Sequence, residues 1–273
     1  MSFDANHEAA HVISWARQFL AGTDGKPLVI GISGGKDSTI TAAALCEAFG
    51  PNRVLGVLMP NGTQKDINVS RAVCEHLGIQ SIEVDIGPMY RAMLRSIKTS
   101  AKNFADNPFN SVVTSNAPCR CRTNTLYVIA NQFHGRVVNT CNLSESFVGY
   151  DTKFGDQCGD FGLFQDYTVT EVKKMGYALG VKAEFVDKIP DDGMCGMSDE
   201  ERFGFSYSYL DAWLRRGGGC DNETDKKILE MHLAALHKIL AVHLPHPTYA
   251  PEGSHYLTMS AHDTNKLLYP VAA

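Results

Sequence analysis

The segment Leu28–Ser38 constrains the fold most, because it joins a predicted buried strand, a glycine turn and a helix start. Leu-Val-Ile-Gly-Ile is a short apolar run of the kind found in parallel sheets. Ser33-Gly34-Gly35 predicts a tight turn, and Asp37 and Ser38 open a predicted helix. Glycines permit close approach of a ligand, and helix N-termini present unpaired N–H donors. We therefore expect a phosphate-binding loop here.

Two charged residues refine this expectation. Lys36 supplies a positive charge beside the predicted phosphates, whereas Asp37 would repel them. A divalent cation between Asp37 and the phosphates removes that repulsion, so Asp37 is a candidate Mg²⁺ ligand. The glycine spacing in Ser33-Gly-Gly-Lys-Asp-Ser38 differs from that of a Walker A loop and from that of Gly-x-Gly-x-x-Gly.

The rest of the chain alternates predicted strands with predicted helices, which indicates right-handed βαβ units and a parallel sheet. We predict an α/β fold, a doubly wound parallel sheet flanked by helices. Polar segments follow three predicted strands, at the sheet edge where ligands bind in such folds. The predicted strands are 28–32, 54–59, 81–86 and 136–139; the helices are 7–20, 38–49, 63–77, 89–104, 119–133, 143–149, 168–179, 199–215 and 223–240; the loops or irregular segments are 106–118, 150–164 and 185–198.

Composition excludes several classes of protein. A net charge of −5 argues against a general nucleic-acid binder. No stretch approaches the roughly 20 apolar residues of a membrane span, and residues 1–8 lack a secretory signal pattern. The eight cysteines form no Cys-x-x-Cys pair, so free thiols in a reducing cytoplasm are expected.

Several polar motifs follow the phosphate loop, and each taken singly is typical of solvent-exposed loops and helix starts. Asn116-x-x-x-Arg120-x-Arg122 puts two arginines near a predicted helix start, where a cation meets the unfavourable end of the helix dipole. Thr140-x-Asn-x-x-Glu145 follows the fourth strand, and Gly149-Tyr-x-Thr-Lys-Phe-Gly-Asp156 comes next.

In combination, the motifs resemble a known family. Ser-Gly-Gly-x-Asp-Ser resembles the pyrophosphate loop of N-type ATP pyrophosphatases, which have an adenine-nucleotide α-hydrolase-like fold. The further motifs, with Asp187-Lys188-Ile189-Pro190 and Asp199-Glu200 before Gly204 and Tyr207, occur in the order seen in ammonia-dependent NAD synthetases. The resemblance extends from about residue 10 to 240.

The resemblance implies a C–N bond-forming ligase. ATP adenylates the nicotinate carboxylate of deamido-NAD, pyrophosphate leaves, and ammonia displaces AMP to form NAD. Mg²⁺ is the implied cofactor and ATP the co-substrate. Matched positions imply ATP contacts at Ser33, Gly34, Gly35, Asp37, Ser38 and Thr140; Mg²⁺ ligands at Asp37 and Glu145; deamido-NAD contacts at Arg120, Lys153, Asp160, His237 and Lys238; and catalytic roles for Asp37 and Lys153. Lys36 occupies the variable position of the loop motif, and its place inside the loop predicts an ATP contact and a catalytic role for it as well.

The resemblance also implies a cytoplasmic homodimer that binds small molecules but neither nucleic acid nor membrane. We expect a single synthetase domain over residues 1–273. A glutaminase domain is not expected, since the phosphate loop already begins at residue 33.

Two positions depart from the family pattern. Val169 stands where many members have a phosphate-binding lysine, and Asp191 stands where many have a hydroxyl residue. Val169 removes a positive charge near the triphosphate, and Asp191 adds a negative charge there. Lys36, often glutamine in the family, is expected to compensate, with Lys188 as the alternative donor.

Two other functions remain open at this point. A tRNA-thiolating ATP pyrophosphatase would share the loop but needs reactive cysteines, for which Cys119 and Cys121 are the one close pair. A non-catalytic nucleotide-binding homologue would keep the loop without turnover, and Val169 and Asp191 favour that reading.

Overall fold

A computed structural model describes residues 3–23, 25–64, 66–101, 107–188 and 198–239. The expectations for Asp191 and for the rest of 189–197 lie outside the described residues. Within the described ranges, no helix combines the length and apolar character needed to cross a membrane.

Strands and helices alternate through the first half of the described chain, and helices dominate the second half. The strands are β1 Leu28–Gly31, β2 Val54–Leu58, β3 Gln80–Glu83, β4 Arg136–Asn139 and β5 Phe161–Gly162. The α-helices are α1 Ala5–Phe19, α2 Lys36–Phe49, α3 Ile67–Leu77, α4 Gly87–Ser100, α5 Ser111–Gln132, α6 Leu143–Phe147, α7 Val169–Ala178, α8 Ala183–Val186, α9 Asp199–Phe203, α10 Tyr207–Arg215 and α11 Glu223–Ile239.

The strands form one parallel sheet in the order β3-β2-β1-β4-β5, which confirms the predicted fold class. Leu28 of β1 aligns with Val54 of β2 and with Arg136 of β4, so these three strands end at the same edge. The chain direction across the sheet reverses between β1 and β4. A crevice opens at such a switch point, beyond the carboxyl ends of the strands.

Both faces of the sheet are covered, which explains the continuous apolar run of β1. Leu28 and Ile30 pack with α1, α2 and α7 on one face, whereas Val29 packs with α5 and the start of α4 on the other. A third apolar cluster joins α6, α9, α10 and α11 around Phe203 and Trp213. This cluster anchors the second half of the chain beside the sheet edge that carries the crevice.

Several predicted boundaries were wrong. Helix α5 begins at Ser111, inside the predicted loop 106–118, because Asn110 caps it by accepting from the Val113 N–H at 3.0 Å. Pro118 lies inside this helix rather than before it. Helix α3 begins at Ile67 rather than at 63, so Asp66 occupies its cap position; the Asp66 side chain bonds Lys188 and makes no cap hydrogen bond to the helix.

Two further differences concern β5 and the predicted helix 199–215. The two-residue strand β5 lies inside the predicted loop 150–164, and it is too short to leave a periodic pattern. The predicted helix 199–215 is divided into α9 and α10 at Gly204, whose φ of +75° ends α9 in a left-handed turn. The capped helix predicted after residue 168 is confirmed, with a capping box between Thr168 and Glu171.

Candidate active site

The loop between β1 and α2 forms the floor of the crevice. Gly34 has φ +78°, and a Cβ atom there would lie 3.2 Å from both the backbone nitrogen and the Oγ of Ser70. The Ser33 and Ser38 hydroxyls lie 3.2 Å apart, and Thr39 donates to the Gly35 carbonyl at 2.8 Å. The loop is therefore held in one shape by its own hydroxyl groups, with the N-terminus of α2 facing the crevice.

Two carboxylates converge from the two strand ends at the switch point. Asp37 lies in the first turn of α2, after β1, and Glu145 lies in α6, after β4. The fully buried Asn142 connects them: its amide donates to Asp37 Oδ1 at 3.0 Å, and its oxygen accepts from the Glu145 N–H at 3.1 Å. Only 18% of each carboxylate side chain is exposed.

Lys36 lies between these two carboxylates. Its Nζ is 2.8 Å from Asp37 Oδ2 and 3.4 Å from Glu145 Oε1, and only 5% of the residue is exposed. Burial acts to lower the pKa of Lys36, but attraction to the two carboxylates outweighs burial and raises that pKa. Burial raises the pKa of Glu145, and the neighbouring charge of Asp37 adds to this increase.

The crevice above these residues encloses about 340 Å³, within the range of small-molecule sites. Acidic side chains outnumber basic ones in its lining, because five carboxylates face two ammonium groups. The lining residues are Ser33, Gly35, Lys36, Asp37, Asp66, Glu145, Tyr150, Asp156, Lys188 and Asp199. Lys188 bonds Asp66 at 2.8 Å within this lining.

Most of the predicted dinucleotide contacts gather around the segment 149–153. Arg120 donates to the Lys153 carbonyl at 3.2 Å, and Lys153 Nζ bonds the His237 carbonyl. Lys238 donates to the carbonyls of Gly149 and Asp151 at 2.6 and 2.7 Å. The ammonium group of Lys238 therefore holds α11 against this segment.

Asp160 lies apart from that group. Its Oδ2 accepts from the Val137 N–H at 2.8 Å, and its Oδ1 lies 3.4 Å from the Tyr127 hydroxyl. Thr140 directly follows β4 at the switch-point edge. The ligand contacts predicted for these residues stay predictions.

Sequence reasoning assigned no role to three residues that shape the site. Asn142 stands in the Thr-x-Asn-x-x-Glu motif, and its position before α6 was the signal of a helix cap. Asp199 lines the crevice and accepts from the Tyr207 hydroxyl at 3.1 Å. Asp211 is buried and accepts from Ser144 and Thr170, and no local pattern marks this contact.

Positive charge near the phosphate loop comes from Lys36 and Lys188 among the lining residues. Val169 does not contribute, because its side chain packs into the apolar cluster that contains Phe203 and Tyr207. No group of three or more His, Cys, Asp or Glu side chains converges as a ready metal site within the described part of the chain.

Comparison with known proteins gives consistent matches. The NAD synthase family model matches residues 8–248. The NH(3)-dependent NAD(+) synthetase of Alkaliphilus oremlandii is 33% identical over 232 residues, which cover 83% of this chain and 92% of that protein.

Two solved structures share the fold. The NMN synthetase from Francisella tularensis superposes with a TM-score of 0.79 at 27% identity, covering 89% of this chain and 99% of the other. The NAD+ synthetase from Burkholderia pseudomallei superposes with a TM-score of 0.71 at 24% identity, covering 87% and 91% of the two chains. The second likeness is evidence of shared fold alone.

Proposed function

The chain belongs to the NAD synthase family, and from this premise we propose that it amidates deamido-NAD with ammonia. ATP is the co-substrate, and the products are NAD, AMP and pyrophosphate. The observation that carries the proposal is the meeting of Asp37 and Glu145 at the phosphate loop. An acidic crevice of this kind binds a polyphosphate only when a cation offsets the like charges.

Mg²⁺ fits the residues present. The carboxylates of Asp37 and Glu145 are oxygen ligands, and an ammonium group already lies between them as a stand-in cation. Mg²⁺ is commonly bound through one or two carboxylates plus substrate phosphates, with waters completing its octahedron. When bound, it would stabilise the charge that develops at the α-phosphorus.

The chain's own residues position the reactants. The N–H groups at the start of α2 and the hydroxyls of Ser33 and Ser38 bind phosphate oxygens, and Thr140 contacts the nucleotide from the end of β4. Lys36 and Lys188 supply positive charge in the absence of a lysine at 169. Such preorganised donors act where charge develops in the transition state.

Binding of deamido-NAD is assigned to the group around 149–153. Arg120 and Lys153 present cations to the dinucleotide phosphates, while His237 and Lys238 fix the segment and α11 beside them. Asp160 contributes from the β4–β5 edge. In this assignment, the dinucleotide carboxylate reaches the α-phosphorus over the crevice that Asp37 and Glu145 line.

Assembly and location follow the same proposal. We place the protein in the cytoplasm as a homodimer, with residues 1–273 as one synthetase domain. Large apolar side chains on α4 and α5 are exposed and favour self-association, namely Met93, Ile97, Val112 and Val128. Sedimentation velocity on the purified chain tests the dimer, and a concentration-independent monomer would contradict it.

The decisive experiment measures all products together. With ATP, Mg²⁺, deamido-NAD and ammonium, the protein should form NAD and AMP in equal amounts, with pyrophosphate. Glu145→Gln, which keeps the shape and removes the charge, is the matched control and should form neither. Release of ADP would refute cleavage between the α and β phosphates. Efficient use of glutamine would contradict ammonia dependence.

A second candidate substrate is nicotinate mononucleotide. The observation that favours it is the TM-score of 0.79 with the Francisella NMN synthetase, above the 0.71 found with the Burkholderia NAD+ synthetase. Steady-state kinetics on both acids decide between them. A higher kcat/KM for the mononucleotide would make NMN, rather than NAD, the main product.

The two earlier alternatives lose support. Thiol transfer needs a thiolate, but burial raises the pKa of both Cys119 and Cys121. The non-catalytic reading depended on lost positive charge, yet Lys36 and Lys188 both line the crevice. Product formation in the experiment above separates these readings from the proposed reaction.

A further inference from the structure

We propose that Lys36 is a displaceable counter-ion, which occupies the cation position between Asp37 and Glu145 until a divalent cation expels it toward the phosphate loop. This inference rests on the proposed function, because it assumes that these two carboxylates hold the metal. It adds a metal-site role to Lys36, which the sequence placed at the ATP phosphates.

The first observation is the position of the ammonium group. Lys36 Nζ contacts one oxygen from each carboxylate, at 2.8 Å and 3.4 Å, and the two carboxylates come from different strand ends. The Tyr207 ring closes the site from another side, with its centroid 5.6 Å from Nζ. The ammonium therefore fills the point of convergence rather than extending into solvent.

The second observation concerns which oxygens are free. Asn142 holds Asp37 Oδ1, so Oδ2 is the oxygen that meets Lys36. A Mg²⁺ ion binds carboxylate oxygens at about 2.0–2.1 Å, much closer than an ammonium nitrogen. An ion bound to both carboxylates would thus lie within a few ångströms of Nζ, where repulsion between the two cations excludes joint occupancy.

The third observation is where the side chain can go. Lys36 is the first residue of α2, directly after the Gly35 cap, and both residues line the crevice. Its flexible stem lets the ammonium turn from the carboxylates to the adjacent phosphate loop without moving the helix. Metal binding would then deliver a positive charge to the triphosphate in the same event.

The arrangement has a functional consequence. Without ligands, Lys36 neutralises carboxylates that would otherwise repel each other in a covered site. The same contact weakens divalent-cation binding, because the metal must displace an existing partner. Bound nucleotide offsets this loss of metal affinity, since its phosphates accept the displaced ammonium. Metal and nucleotide should therefore bind more tightly together than separately.

The test is a Mn²⁺ titration without nucleotide, followed by electron paramagnetic resonance of the free ion. Lys36→Met should bind Mn²⁺ at least tenfold more tightly than the unaltered protein. Lys188→Met is the matched control, because it removes the other lysine of the crevice without touching the carboxylate pair, and its Kd should change less than threefold. Unchanged or weaker binding by Lys36→Met would overturn the inference, as would equal tightening by both variants.

A second measurement uses the unaltered protein and does not depend on the folding of a variant. Acylation of lysine amines by acetic anhydride, read by peptide mass spectrometry, should be slow at Lys36 without metal. Mg²⁺ should accelerate it at least fivefold relative to Lys188, because the ammonium leaves its covered position. An unchanged or slower rate would refute displacement.

The measurements distinguish a wrong metal site from a wrong role for Lys36. Absence of Mn²⁺ binding in every protein, together with absence of NAD synthesis, would overturn the proposed metal site and this inference with it. Normal NAD synthesis and normal Mn²⁺ binding, with no effect of Lys36→Met, would overturn this inference alone.

Discussion

Asn142 offers a sharp test of how the site is held together. Its side chain makes one bond to each carboxylate segment, donating to Asp37 Oδ1 at 3.0 Å and accepting from the Glu145 N–H at 3.1 Å. The residue is fully buried and caps α6. Asn142→Ala removes both bonds, whereas Asn142→Ser keeps a capping oxygen and is too short to reach Asp37.

The expected magnitudes follow from these two bonds. Loss of a helix cap costs about 1 kcal/mol, and loss of a hydrogen bond to a charged group costs about 1.5–3 kcal/mol. Water reaches Asp37 in part, so we expect Asn142→Ala to lose about 2–3 kcal/mol of unfolding free energy. At about 2–4 °C per kcal/mol, its Tm should fall by roughly 5–10 °C. Asn142→Ser should lose about 1 kcal/mol less.

Mn²⁺ affinity distinguishes the contact of Asn142 with Asp37 from its role as a helix cap. Because both variants leave Asp37 without its orienting donor, both should bind Mn²⁺ about 10–100-fold more weakly, the usual effect of removing a group that orients a metal ligand. Thermal unfolding and Mn²⁺ titration on the three proteins provide the data. Restored affinity in Asn142→Ser would show that only the cap matters, and normal affinity in both would refute the reasoning.

Other predictions concern the neighbouring carboxylates and thiols. Asp37→Ala and Glu145→Ala should both abolish NAD synthesis, but Asp37→Ala should lower Tm more, because Lys36 lies closer to Asp37 (2.8 Å) than to Glu145 (3.4 Å); a lower Tm for Glu145→Ala would contradict this order. Asp211→Ala should lower the free energy of unfolding by about 3–4 kcal/mol, because it leaves the donors of Ser144 and Thr170 without their acceptor. At roughly 2–4 °C per kcal/mol, a Tm within about 2 °C of the unaltered protein would contradict this stabilising role of Asp211. Cys119→Ala should synthesise NAD at the rate of the unaltered protein. A rate lower by about tenfold, equal to about 1.4 kcal/mol, would support a reactive thiol at Cys119.

The sequence predicted the sheet well because its signals are local. The four predicted strands were found with shifts of a few residues, and β4 was found at its exact bounds, 136–139. The largest boundary error was at α5, whose local cap Asn110 starts the helix well before the predicted residue 119. This helix also accommodates Pro118 in its interior, where a proline was expected to precede it.

The candidate site shows the same division. The spacing of the loop 33–38 indicated a phosphate site and a metal-binding Asp37, and the motif after β4 indicated Glu145. The structure adds that most of each carboxylate side chain is covered. It also places the Lys36 ammonium between them, whereas the sequence predicted that this ammonium contacts the ATP phosphates.

The sequence by itself determined the periodic strands, the glycine turn and the residue types available at each strand end, because these depend on neighbouring residues along the chain. Only the tertiary structure decided that Asp37 and Glu145, which are 108 positions apart, share one ammonium group and one bridging amide. That meeting requires β1 and β4 to be adjacent in the sheet. Strand order is set by the packing of helices on both faces, and no local pattern encodes it.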